Sequence, residues 1–94
     1  MYIGVVSTII VDFMTPAQSR AARALLEMKQ ADLAQNAGLG LSTVVDFERE
    51  RRQVSDDAVR AIKAAFERAG IVFIEENGGG EGVRLKKPRR SPKK

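Results

Sequence analysis

Residues 30–48, QADLAQNAGLGLSTVVDFE, decide the fold: they read as two short helices joined by a tight turn. Ala31, Leu33, Ala34 and Ala37 recur at helical spacing, so the first segment carries an apolar side. Gly38 then supplies a residue able to take positive φ, and Leu39 turns the chain back toward a core. In the second segment Val44, Phe47 and the stem of Glu48 share one face, while Leu41, Ser42, Val45, Asp46 and Arg49 are spread over the remainder. One face packs and the other is offered outward.

The flanks add a helix on each side. Thr15 is an N-cap, Pro16 sits at the first helical position and Gln18 follows three residues after the cap, a capping box with a pre-set φ. Ala22, Leu25, Leu26 and Met28 supply that helix's buried stripe, and a break near Lys29 leads to the next helix at Gln30. The third helix runs from Leu41 to about Arg49, and the polar segment Glu50–Val54 connects it to a fourth. Ser55, followed by Asp56 and Asp57, caps this last helix; Val59, Ile62, Phe66 and Ala69 mark its inner face, and Gly70 stops it.

Beyond Gly70 the period becomes extended. Ile71–Ile74 and Gly82–Lys86 read as strands around the reversing loop Asn77-Gly78-Gly79-Gly80. A lone hairpin is marginal in water, so it should pack on the fourth helix, pair with an N-terminal strand or meet its copy in a partner subunit. Residues 1–13 are rich in β-branched side chains and favour a strand, whereas two prolines, a serine and basic residues from Pro88 onward predict disorder. The expected fold is mainly α: a compact four-helix bundle with a helix-turn-helix, preceded by a β-strand and followed by a short β-hairpin. Its divisions are 1–13, 14–70, 71–87 and a basic tail at 88–94.

Gln30-Ala31-Asp32-Leu33-Ala34, Ala37-Gly38-Leu39, Ser42-Thr43-Val44 and Phe47-Glu48 together resemble the helix-turn-helix core of the Xre/Cro/phage-repressor family. With the flanking helices the likeness covers about residues 15–69. It implies that the second helix of the motif enters the DNA major groove, and that Arg23 pairs with Glu48 to hold that helix in place. Leu41, Ser42 and Asp46 match the usual base-contact positions, and Gln30 matches a phosphate-binding position at a helix N-terminus. Gly40 stands where a Ser or Thr usually caps the recognition helix. Glu50 stands where glycine often ends it, which suggests that the helix runs on or turns differently.

The chemistry offered to DNA is unusual. Leu41 and Val45 suit a thymine methyl, Ser42 can donate or accept, and Asp46 can accept from a cytosine amino group or simply sit solvated near Arg49 or Arg52. Thr43, Arg49, Arg51 and Arg52 are phosphate candidates. Of the formal net charge of +4, the segment 83–94 contributes seven basic side chains and no acid, a composition that fits a phosphate-seeking arm or a solubilising terminus.

The 94 residues allow one small domain and a modest core. There is no cysteine and no histidine, so disulfides, thiolate chemistry and the usual zinc ligand sets are excluded; neither metal nor cofactor is expected, and a reducing cytoplasm suits the chain. No stretch reaches the roughly 20 apolar residues of a membrane span. An enzyme would need a carboxylate pair or a lysine in a pocket, and so small a bundle has little concave volume. The leading expectation is a transcriptional regulator, a repressor or controller protein, that binds double-stranded DNA at an inverted repeat as a homodimer. The alternatives are an antitoxin whose extra strands or tail grip a toxin, and an interaction module that has lost DNA binding.

Overall fold

Helix α1 spans Pro16–Leu26 in the computed structural model, which describes residues 14–87. Its start is fixed reciprocally: the Thr15 hydroxyl accepts from the Gln18 N–H at 3.1 Å, and Gln18 Oε1 accepts from the Thr15 N–H at 2.9 Å. Helix α2 covers Gln30–Ala37, α3 covers Leu41–Glu48 and α4 covers Asp56–Arg68. Ser55 caps α4 by accepting from the Ala58 N–H at 3.1 Å, and Asp56 and Asp57 occupy the first turn, where the helix dipole favours negative charge. Strands β1 (Ile71–Ile74) and β2 (Gly82–Leu85) form an antiparallel hairpin, with Ile71 opposite Leu85 and Ile74 opposite Gly82. The strand expected over residues 1–13 and the basic tail at 88–94 lie outside the described residues.

Leu33 of α2, Val44 of α3, and Ile62 and Phe66 of α4 are fully enclosed, and the small Ala22 lets α1 approach them closely. Burying each of the larger side chains favours folding by roughly 1.5–3 kcal/mol. Two positions depart from the sequence pattern. Val54, inside the polar connection, is buried in this core, because the chain must cross the bundle to reach α4. Ala69 is exposed as the C-cap of α4, beyond the last turn that packs; Ala58 and Ala65 line the inner face instead.

The hairpin is anchored by two helices. Phe73 meets Phe66 of α4 edge to face, with ring centroids 6.2 Å apart, and Lys63 Nζ lies 5.7 Å from the centre of the Phe73 ring. From α1, the buried Gln18 amide donates to Gly82 O at 3.0 Å and to Ile74 O at 3.4 Å, the facing residues at the loop end of the hairpin. Gln18 therefore does two jobs with one side chain: its oxygen starts α1 and its nitrogen holds both strands.

Gln18→Ala should lower stability by about 1–3 kcal/mol, the sum of a lost cap and a lost buried hydrogen bond. Amide exchange should quicken at β1 and β2 more than in α4. Unchanged hairpin protection in the variant would remove Gln18 from the anchoring role.

Candidate nucleic-acid interface

Glu48, the last residue of α3, is 0% exposed, so its carboxylate must find every partner within the protein. Ser19 and Arg23 are four residues apart on α1 and share a face toward it. Arg23 Nη2 stands 2.8 Å from Glu48 Oε1, and Arg23 Nε lies 3.0 Å from both carboxylate oxygens. Ser19 Oγ donates to Oε2, and Gln30 Nε2 donates to Oε1 at 3.0 Å. Two further bonds complete the joint: Arg23 Nη1 donates to Met28 O at 3.2 Å, and Arg20 Nη1 donates to the Glu48 carbonyl at the C-terminal end of α3. One carboxylate thus joins α1, α2 and α3. Burial pushes the Glu48 carboxyl up, but hydrogen bonds from Arg23, Ser19 and Gln30, together with the charge of Arg23, outweigh it and hold the group below its ordinary value.

The helix ends are set by a repeated turn. After α2, Leu39 N–H donates to Ala34 O at 2.9 Å and Gly38 N–H donates to Gln35 O at 3.2 Å, with Gly38 at φ 71°. The same pair of bonds closes α1 through Met28 and Glu27, and α3 through Arg51 and Glu50. There the left-handed residue is not glycine: Glu27 has φ 54° and Glu50 has φ 56°. Helix α3 accordingly ends at Glu48 and does not run on through Glu50. Glu50 takes the conformation glycine would supply, because both terminal hydrogen bonds require it.

With its inner face occupied by Val44, Phe47 and Glu48, α3 turns Leu41 and Ser42 to the exterior, with Thr43, Val45 and Asp46 partly covered. Leu41 is 49% exposed and is the one exposed large hydrophobic side chain among the described residues. Asp46 Oδ2 accepts from Arg52 Nε at 2.8 Å, so of the arginines the sequence placed near Asp46 it is Arg52 that pairs with it beside the helix. Arg49, Arg51 and Arg52 are exposed immediately after α3. The Gln30 side chain points inward to Glu48, which leaves the outward chemistry at that position to the backbone at the start of α2. Sequence reasoning missed Ser19 and Arg20. The four-residue spacing of Ser19 from Arg23 was the available signal for the first.

A helix-turn-helix family model matches residues 20–69, from α1 through the C-cap of α4. No curated protein matches the chain.

Because the folded Glu48 carboxyl titrates low, its stabilisation is complete above the usual carboxylate range and fades as pH falls through the depressed value. Glu48→Gln should cost about 3 kcal/mol or more at neutral pH, since Arg23 would lose its charge partner. It should also flatten the parent's loss of stability below about pH 4, near the ordinary carboxylate value. Denaturant unfolding at several pH values tests both, and equal stability of variant and parent would reject the network as a constraint. Glu50→Gly should work in the opposite direction, raising stability by roughly 0.5–1 kcal/mol through relief of the left-handed conformation. A destabilised variant would show that Glu50 is not strained.

Proposed function

The chain belongs to the Cro/C1-type helix-turn-helix family of DNA-binding regulators, and from that we propose that it is a sequence-specific repressor or controller protein that binds an inverted-repeat operator as a homodimer. The observation that carries this reading is the two-sided character of α3. Its inner side is held by the Glu48 network, and its outer side is rimmed by the exposed Arg49, Arg51 and Arg52. A helix of this diameter fits the major groove. Leu41, Ser42, Val45 and Asp46 face the bases, and Thr43 and the three arginines contact phosphates, joined by the backbone N–H groups at Gln30. One recognition helix reads too few base pairs to select an operator, so a second copy related by two-fold symmetry supplies the other half-site. Among the described residues the hairpin edges pair with no other strand, and the half-buried Ile74, on the strand face opposite Phe73, supports this region as the dimer contact. Bound across a promoter, such a dimer represses by excluding polymerase. The segment 83–94 adds salt-dependent affinity for the DNA backbone.

Arg51→Ala should weaken binding to operator and random DNA alike and reduce the log–log salt slope by about one unit. Fluorescence anisotropy across a salt series measures both, and an unchanged slope would exclude Arg51 from the phosphates. A charged substitution at Ile74, on the strand face opposite the Phe73 ring that packs on Phe66, should convert a sedimenting dimer to monomer and abolish operator binding before the bundle unfolds. A parent protein that is monomeric at micromolar concentration and binds a single half-site tightly would overturn the dimeric reading.

A further inference from the structure

We infer that the outer lane of α3 recognises the C5 methyl group of a pyrimidine, thymine or 5-methylcytosine, with Leu41 as the specificity-determining residue and Val45 beside it. The inference rests on the DNA-binding reading and adds the chemistry of the base that is read. Polar readers are scarce on this face. The Gln30 amide is turned inward onto Glu48, and the Asp46 carboxylate is engaged by the Arg52 Nε at 2.8 Å. Ser42 is short and can both donate and accept, so by itself it discriminates little between bases. What remains is apolar: Leu41 at the first position of α3, 49% exposed, and Val45 one turn on, the i and i+4 positions of one helix stripe.

A C5 methyl is the one apolar group that a base pair presents in the major groove. A protein partner fits the patch less well. One half-exposed leucine is far below the roughly 800 Å² per side of a stable protein interface, and the exposed Arg49, Arg51 and Arg52 that follow the same helix are cationic, as a phosphate backbone requires.

The test uses the full chain and a consensus site selected from random DNA. Each thymine is replaced in turn by uracil, which removes only the methyl, and binding is followed by anisotropy. At one or more half-site positions affinity should fall roughly four-fold, the value of one buried methyl group. At the same positions cytosine should bind worse than 5-methylcytosine, and the relative strength of thymine and 5-methylcytosine identifies which source of the methyl is preferred. Leu41→Ala should bind more weakly than the parent and lose the discrimination between thymine and uracil. Because Leu41 is half exposed, circular dichroism and melting should be unchanged. Sequence-selective binding with equal affinity for thymine and uracil everywhere, or discrimination that persists in Leu41→Ala, would overturn the inference while leaving DNA recognition standing. Failure to select any consensus would instead bring down the DNA-binding reading and this inference with it.

Discussion

Everything that orients α3 depends on a carboxylate with no access to water. Apolar burial favours compactness without direction, so Val44 and Phe47 could be covered by α3 in several rotations about its own axis. Hydrogen bonds are directional, and Glu48 must satisfy its oxygens with Arg23, Ser19 and Gln30 at fixed places on α1 and α2. Rotating α3 by one residue would withdraw the carboxylate from all three donors and leave a buried charge unpaired, at a cost of several kcal/mol. The network therefore removes rotational freedom that packing alone would leave.

That constraint matters more because the motif helices are short. At eight residues, α2 and α3 are too brief to be stable alone, and their positions are set by what they touch. Their ends are correspondingly abrupt. Three consecutive helices close with the same pair of terminal hydrogen bonds, and at Glu27 and Glu50 the chain accepts a left-handed residue that has a Cβ. The Glu50 turn immediately follows Glu48, whose carbonyl is held by Arg20. The left-handed Glu50 lets the Glu50 and Arg51 N–H groups reach Phe47 O and Asp46 O, so a modest local strain is outweighed by the bonds it makes.

Signals confined to neighbouring residues were legible in the sequence. Thr15, Pro16 and Gln18 placed the start of α1, Gly38 the turn, Ser55 with its two aspartates the start of α4, and Ile71–Ile74 the first strand. Arg23 and Glu48 were reachable through the family resemblance. What stayed hidden was set by the partner a side chain meets across the bundle. The capping role of Gln18 was visible, but its grip on Ile74 and Gly82 spans more than fifty residues of chain. Ser19 reads as an ordinary polar helix residue until Glu48 is brought against it, and Val54 looks like part of a loop until the bundle closes over it. Glu50 left continuation and a different turn both open, because residue type argues for continuation while hydrogen-bond geometry dictates termination. On the outer face, Asp46 could be read toward a cytosine or toward Arg49 or Arg52, and only the fold selects Arg52, at 2.8 Å.

The inner and outer sides of α3 consequently answer to different physics. The inner residues are fixed by directional bonds and close packing, where a small change disturbs three helices at once. Leu41 and Ser42 make no such demands, since they are exposed. Substitutions there alter what the helix presents without altering where the helix is, at low cost to stability. Asp46 is the intermediate case: it lies between the two sides and is coupled to Arg52 in the following turn. A change at Asp46 would release a guanidinium as well as remove a carboxylate, and near a polyanion the two changes would act in the same direction, with repulsion relieved and a freed cation gained.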